Sequence, residues 1–178
     1  MNKRLYFLMI LTLFIMTTAA CGDKPTPSGG DKSASNNVQS EDQGSAETQF
    51  IKAYFADSQL EKLEEKVVEA RIAPGSDKYQ QAYTELQNNN HQNLVSLWTE
   101  IKLNSLSFGD SGEITLDIHI PNEARLGSSG EQLAIEALKR TLFQFEEVNS
   151  IELLVDGEVV ESLMGHAELE HPILRNEN

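Results

Sequence analysis

A run of histidine and glutamate side chains near the C-terminus contains residue types that could do chemistry. It reads His166-Ala167-Glu168-Leu169-Glu170-His171, and imidazole and carboxylate groups are ligands that zinc accepts. The spacing differs from the H-E-x-x-H helix motif of zinc proteases. We therefore name His166 and His171 as metal-ligand candidates but expect a structural or solvated role for both. No cofactor is predicted.

Two further polar groups invite a catalytic interpretation. His119 follows Asp117 by two residues on the wet face of a strand pattern, where an imidazole–carboxylate pair is geometrically feasible. Gly127-Ser128-Ser129-Gly130 suggests a phosphate loop at a helix N-terminus, but it lacks the lysine of a P-loop. The sequence contains no nucleophile elbow of the form G-x-S-x-G. We predict that the protein is not an enzyme and has no catalytic residues.

The only cysteine, Cys21, stands at the end of an export signal. Lys3 and Arg4 precede an apolar run that begins at Leu5, and the small residues Thr17–Ala20 lead directly to the cysteine. An apolar core of this length with a small-residue exit predicts a signal peptide. A membrane-spanning helix would need about 20 apolar residues. An unpaired cysteine in an exported protein calls for an explanation.

The segment Thr17–Cys21 resembles the lipobox of bacterial lipoproteins, although Thr18 stands where that family usually has leucine. The resemblance implies that the signal is cut before Cys21 and that its thiol is diacylated, with palmitate as a suitable label. Two or three acyl chains anchor a protein stably to the lipid bilayer. We expect a cell-membrane protein, lipid-anchored on the extracytoplasmic face. An ordinary signal peptide with a chance cysteine is the alternative.

Charge and composition divide the rest of the chain. Loss of residues 1–20 removes Lys3 and Arg4 and takes the formal net charge from −14 to about −16. Such a chain is repelled by nucleic acid phosphates, so no nucleic acid partner is predicted. Residues 21–46 are polar, with Val38 as the only large apolar side chain, and are predicted to form a lipidated, disordered tether. About 25 such residues reach roughly 25–30 Å. Residues 47–178 have the size of one domain.

The domain contains several strand patterns. Leu60–Ala70 fits either a strand or a short helix, and a phase slip at Asn104-Ser105 predicts a β-bulge. Asp156-Gly157 lies between two apolar runs and predicts a hairpin turn. The remaining strands are predicted at Gln49–Ala56, within Leu94–Phe108, at Ile114–Ile120, at Ile151–Val155 and at Val159–Leu163.

Two helices complete the predicted domain. Ser76 or Asp77 could cap a helix from Lys78 to about Asn88. Ser128-Ser129-Gly130-Glu131 fits a capping box, from which a second helix would run to about Phe145. The fold class predicted is α+β, a mainly antiparallel sheet with two helices packed on one face, after a cleaved signal and a disordered tether.

Several of these segments resemble one known domain family. Ile114–Ile118 resembles its strand, Glu131–Leu142 its long central helix, Val148–Gly157 its closing hairpin and Leu163–Leu169 its Gly-His terminus. This is the GerMN domain, found in spore-formation and germination proteins of Gram-positive bacteria. With the strand end Tyr54–Asp57 included, the resemblance covers roughly residues 48–174. Its motifs are structural, so it indicates a GerMN-like domain over 47–178.

The resemblance implies a membrane-tethered, non-enzymatic domain. Sporulation members of the family take part in an envelope-spanning channel complex, and their fold is similar to ring-building modules of secretion machines. We therefore expect a scaffold that binds another envelope protein, with the hairpin Ile151–Leu163 and the strand Glu113–Ile120 at or near a sheet edge. The alternative is a small-ligand or cell-wall-binding module, with Trp98 or the Tyr79/Tyr83 region forming a cleft.

Overall fold

The computed structural model of the protein describes residues 47–72 and 77–175. The predicted signal, Cys21, the tether and the alternative helix cap Ser76 lie outside the described residues. In chain order the elements are β1 Glu47–Asp57, β2 Leu63–Ile72, α1 Lys78–Leu86, β3 Leu94–Val95, β4 Lys102–Phe108, β5 Glu113–His119, a 3-10 turn Asn122–Ala124, α2 Ser128–Leu142, β6 Ser150–Val155, β7 Glu158–Val159 and β8 Ile173–Leu174.

The first sheet has the order β2-β1-β3. Ile51, Ala53 and Phe55 of β1 are buried, while Phe50 and Lys52, on either side of Ile51, face solvent. β2 pairs antiparallel to β1 with Ile51 opposite Val68. The ambiguous segment Leu60–Ala70 is thus a strand after Leu63, because alternation of charged and β-branched residues suits a sheet with one wet face.

The second sheet joins β4, β5, β6 and β7, with β8 also paired to β6. β4 and β5 are antiparallel, with the predicted bulge between Leu103 and Ser105. β5 and β6 are parallel, because α2 connects them as a crossover helix. The predicted α+β fold with mainly antiparallel pairing is confirmed, but the strands form two sheets rather than one.

The predicted hairpin after β6 is confirmed in a shorter form. Asp156 and Gly157 both have positive φ, 53° and 81°, as a two-residue turn of this kind requires. β7 ends at Val159, whereas the apolar pattern predicted a strand to Leu163. Residues beyond Val159 leave the ladder and form an irregular segment that returns to the sheet only at β8.

The two helices begin differently. Asp77 caps α1 by accepting hydrogen bonds from the backbone N–H groups of Tyr79 and Gln80, as one of the two alternatives predicted. The capping box predicted for α2 is wrong: Gly127 is the N-cap residue and makes no side-chain cap bond. The helix also ends at Leu142 rather than near Phe145. The Glu131 side chain is used elsewhere, as described below.

A single apolar core connects both sheets and both helices. Trp98 is fully buried at its centre, packs edge-on against Tyr83 with ring centroids 5.7 Å apart, and donates its indole N–H to the carbonyl of Ala134 at 2.9 Å. The apolar stripe of the α2 sequence predicts an inward face of Leu133, Ala134, Ala137, Leu138, Leu142 and Phe145. Ala134, Ala137, Leu138 and Leu142 are buried as predicted, whereas Leu133 and Phe145 are partly buried.

Candidate functional site

The fully buried carboxylate of Glu131 lies at the centre of a polar cluster. Glu131 is in the first turn of α2, and its two oxygens are bonded to the segment Ser162–His166. The Ser162 hydroxyl donates at 2.7 Å, the Met164 backbone N–H at 2.9 Å and the His166 backbone N–H at 2.9 Å. The His166 ring nitrogen Nδ1 lies 3.0 Å away. Every hydrogen bond therefore favours the ionised carboxylate.

The protonation state of Glu131 follows from these contacts. Burial raises the pKa of Glu131, but the hydrogen bonds from Ser162, Met164 and His166 outweigh it and lower the pKa to about 2. Because the carboxylate only accepts, the Nδ1 of His166 must carry a proton.

The cluster lacks the geometry of a nucleophilic site. The Ser162 hydroxyl donates to Glu131 and accepts from the Gly165 backbone N–H at 2.8 Å. A catalytic serine instead donates to an imidazole, which takes its proton. The arrangement fastens the loop 162–166 to the start of α2.

His171 is bonded to a different carboxylate from His166. Its Nδ1 lies 2.7 Å from Glu152 Oε1, and its Nε2 lies 2.6 Å from the carbonyl oxygen of Val160. Within residues 47–72 and 77–175, no group of three or more His, Cys, Asp or Glu side chains is placed to hold a metal ion. The structure thus gives each metal-ligand candidate its own carboxylate partner.

The imidazole–carboxylate pair considered on β5 forms with another residue. His119 Nδ1 lies 2.9 Å from Asp156 in the β6–β7 turn, not beside Asp117. Asp117 instead accepts hydrogen bonds from Asn104 at 3.2 Å and from the Gly157 backbone N–H at 2.7 Å. Residues two apart on a strand lie farther from each other than residues on neighbouring strands. These groups brace the turn at the end of β6.

The aromatic cleft predicted as an alternative is wrong. Trp98, Tyr79 and Tyr83 are all buried. Trp98 packs against Tyr83 and bonds to α2, and Tyr79 packs against Phe108 and Phe145. The Tyr79 hydroxyl donates to Glu147 at 2.8 Å, and burial with this bond raises its pKa. None of the three rings is available as a platform for a sugar or another ligand.

An open cleft of about 630 Å³ lies beside the irregular segment that follows β7. Its polar side chains are those of Glu161, Ser162, His166, Glu168 and His171. Acidic and imidazole groups alternate around it, so it is not the apolar, enclosed kind of site that takes a drug-sized ligand.

The sheet edges agree with the prediction for the hairpin but not for the strand Glu113–Ile120. β5 is flanked by β4 and β6, and β6 is flanked by β5 on one side and by β7 and β8 on the other. The hairpin Ile151–Leu163 was expected at or near an edge, and its second strand, β7, does end the sheet. The strand Glu113–Ile120 was expected there too, but the parallel β5–β6 pairing places β5 inside the sheet. In the part of the chain that the structure describes, β2 and the two-residue β3 lie at the edges of the first sheet, and β4 lies at one edge of the second, opposite the short strands β7 and β8.

β2 presents a ten-residue edge. The hydrogen bonds of β1 show which backbone groups of β2 point outward. Asp57 donates its N–H to the carbonyl of Lys62, just before β2. Lys52 hydrogen-bonds through its N–H and C=O to the Gln144 side chain on the opposite side of β1. Lys52 is paired with Val67, so this is a non-hydrogen-bonded pair in which both backbones point away from each other. The N–H and C=O of Val67 therefore face outward from the sheet.

A solvent-exposed apolar face adjoins this edge. Phe50 is 70% exposed and Val67 56% exposed, and both lie on the wet face of the β1–β2 sheet. They line an open groove of about 510 Å³. Its other lining residues are Lys52, Tyr54, Arg140, Phe143 and Gln144. Exposed aromatic and branched side chains beside an open strand edge are typical of protein contact surfaces.

The opposite edge of β1 is partly closed by a side chain. The Gln144 amide accepts from the Lys52 N–H at 2.8 Å and donates to the Lys52 carbonyl at 2.8 Å, as a neighbouring strand would. β3 covers β1 only at Ala56 and Asp57. Of the edges near the exposed face, β2 is thus the one without a comparable side-chain cap among the described residues.

Comparison with known proteins assigns the fold to a family. A family model described as "Germane: Sporulation and spore germination" matches residues 52–161, more than half of the chain. The chain belongs to this family. The Germane match extends from within β1 to just beyond β7 and so takes in most of both sheets. It confirms the resemblance to GerMN domains inferred from the sequence.

Solved Germane-type structures share this architecture. The first GerMN domain of the sporulation protein GerM from Bacillus subtilis has 16% identity and a TM-score of 0.55, over 72% of this chain and 98% of that one. The tandem GerMN domains of the same protein have 19% identity and a TM-score of 0.51, over 79% of this chain and 50% of that one. The chain thus spans about half the tandem structure. At such identities the likeness shows the fold alone. No curated protein matches.

Within the described residues, no helix is both long and apolar enough to cross a membrane.

Sequence reasoning missed Glu131 as the centre of a buried cluster, because Ser-x-x-Glu before an apolar stripe is also the signature of a capping box. The residue that could have indicated this is Gly127. A glycine can occupy the N-cap position without a side-chain hydrogen bond, so the Glu131 carboxylate is not required at the start of the helix.

Proposed function

We propose that this protein is a lipoprotein, anchored through Cys21 to the extracytoplasmic face of the cell membrane. Its Germane domain binds another envelope protein and catalyses no reaction. Membership of the sporulation and spore germination family supports a role in one of these processes. The signal-like N-terminus and Cys21 support the anchor, since diacylation holds a protein stably on a bilayer.

The observation that carries the binding function is the open edge of β2 beside Phe50 and Val67. An edge strand offers a row of backbone donors and acceptors to another chain. In the register that pairs Val67 with Lys52, the odd-numbered residues of β2, from Leu63 to Arg71, point their backbone N–H and C=O groups away from β1. Phe50 and Val67 are the apolar side chains next to that row.

The binding mode is addition of an extended strand from the partner. Main-chain hydrogen bonds then supply affinity, while alternate side chains supply specificity. Apolar side chains of the partner strand would contact Phe50 and Val67 on the wet face. The charged residues Glu65, Glu69 and Arg71 on the same strand limit indiscriminate pairing, as charged edges do in other sheets.

A proline at position 67 tests the mode directly. Because the Val67 N–H faces outward, Val67→Pro removes a donor from the edge without removing a bond from the β1–β2 ladder. The matched control is Val67→Thr, which keeps both the N–H and a branched side chain. A photo-crosslinking residue at Glu69, installed in the cells that make the protein, reports capture of the partner.

We expect the Glu69 crosslink to disappear with Val67→Pro and to persist with Val67→Thr, with circular dichroism unchanged for both. Crosslinks that survive the proline, or that form only from the cleft around Glu168, would refute binding through the β2 edge. Loss of capture with both substitutions would point to side-chain contact without strand addition.

A further inference from the structure

His171 makes two hydrogen bonds that require a charged ring. Glu152 Oε1 lies 2.7 Å from Nδ1, and the Val160 carbonyl oxygen lies 2.6 Å from Nε2. A carbonyl oxygen and an ionised carboxylate accept hydrogen bonds but cannot donate them. A neutral imidazole carries one N–H and can serve only one of the two acceptors.

We propose that His171 is a pH-sensitive fastener, which as an imidazolium ties residues 169–172 to β6 and to the end of β7 and on deprotonation releases one of the two contacts. Glu152 belongs to β6, and Val160 follows β7 directly. The ring thus bridges a sheet strand and the irregular segment around the 630 Å³ cleft. The fastening is independent of what the β2 edge binds.

The surroundings of His171 favour its charged form. Glu152 faces it from β6, and Glu161, His166 and Glu168 line the cleft that His171 also lines. Lys139 of α2 lies farther along, beside Glu168 and Glu170. Burial lowers the pKa of His171, but the hydrogen bonds to Glu152 and Val160 outweigh it and raise the pKa above its ordinary value.

The sign of the pH dependence follows from this direction. A histidine with a raised pKa in the folded protein contributes its stabilisation fully below about pH 6.5, the value for an unfolded chain. The contribution is lost as pH rises through the higher folded-state pKa. Residues 169–172 therefore loosen on the alkaline side, towards and above neutral pH.

The loosening is confined to residues 169–172, because Arg175 is held by hydrogen bonds that do not involve His171. Arg175 donates from its backbone N–H to Asn149 at 3.0 Å and from its guanidinium to Val148 and Phe143, both at 2.8 Å. Arginine does not titrate in this range. The Leu169 N–H donates to the Glu161 carbonyl oxygen at 2.9 Å, so its amide exchange rate shows whether residues 169–172 are held in place. The exchange rate of the Arg175 N–H serves as an internal reference.

The matched variants are Glu152→Gln and Glu168→Gln. A glutamine at position 152 can donate its amide N–H to Nδ1, so a neutral ring keeps both contacts and the fastener becomes insensitive to pH. Glu168→Gln also removes one negative charge, from the cleft that His171 lines, without touching either bond. The experiment uses the full chain in detergent micelles, with nitrogen-15 spectra of the ring nitrogens and amide exchange between pH 5 and 9.

In the unsubstituted protein we expect both His171 nitrogens to be protonated at pH 6.5. Leu169 should then lose protection relative to Arg175 by about tenfold as pH rises, the effect of one charge-assisted hydrogen bond. Glu152→Gln should abolish that change and lower the His171 pKa, and Glu168→Gln should leave both as they were. A neutral His171 at pH 6.5, or an equal effect of the two variants, would overturn the fastener.

Discussion

Glu131 and His166 are joined by two contacts, one from the backbone N–H of His166 at 2.9 Å and one from its ring Nδ1 at 3.0 Å. The carboxylate is fully buried, whereas the imidazole reaches the open cleft. The pair links the first turn of α2 to a loop that follows β7. Such a buried carboxylate, satisfied by several donors, stabilises a single position of that loop.

The first prediction concerns this carboxylate. Glu131→Gln keeps the side-chain shape but turns one acceptor oxygen into a donor that faces other donors, so we expect a loss of about 1–3 kcal/mol in the free energy of unfolding at pH 7. Because the pKa of Glu131 is lowered to about 2, the stabilisation is present above about pH 4.5. It should be lost as pH falls towards 2. Denaturant titrations at pH 7 and pH 3 measure both effects.

The control for Glu131 is Glu136→Gln on the same helix. Glu136 makes surface ion pairs with Lys139 at 3.6 Å and Arg140 at 2.7 Å, and such exposed pairs contribute at most about 1 kcal/mol. Equal losses for the two variants at pH 7 would show that the Glu131 cluster does not stabilise the fold.

The second prediction concerns the apolar face of α2. Leu138 is fully buried, so Leu138→Ala should lower the free energy of unfolding by about 2–5 kcal/mol through lost contacts and a residual cavity. Leu133 on the same helix is only partly buried, and Leu133→Ala should cost less. Urea denaturation followed by tryptophan fluorescence measures both. An unchanged midpoint for Leu138→Ala would contradict the core described above.

The third prediction concerns the membrane anchor. Cys21 is the only thiol in the chain, so Cys21→Ser should abolish incorporation of labelled palmitate and release the protein from membranes. The variant keeps the preceding residues Thr17–Ala20, which separates lipidation from export. Continued palmitate labelling of the serine variant would refute the lipoprotein assignment.

The fourth prediction concerns the tether. The composition of residues 22–46 predicts cleavage there by a nonspecific protease, while a core from about residue 47 resists. Limited proteolysis with mass spectrometry of the surviving fragment gives the boundary. Strong protection of tether amides from hydrogen exchange would contradict this expectation.

Local patterns in the sequence were sufficient for most elements. The alternation at Ile114–Ile120 and the stripe along α2 identified strand, helix and buried face, because side-chain direction follows the backbone period. Asp156-Gly157 and the phase slip at Asn104 located a turn and a bulge for equally local reasons. The family resemblance, carried by the same segments, also came from the sequence and was confirmed by the family match.

Beyond the β6–β7 hairpin, only the tertiary structure decided which strands are neighbours and what the polar side chains contact. The parallel β5–β6 pair, the division into two sheets and the open edge of β2 depend on contacts between distant segments, which periodicity does not encode. Glu131 illustrates why sequence periodicity does not determine what a polar side chain contacts. Its carboxylate could accept from its own helix start or from a loop more than thirty residues away. Packing of that loop against α2 supplied more donors than a helix cap offers.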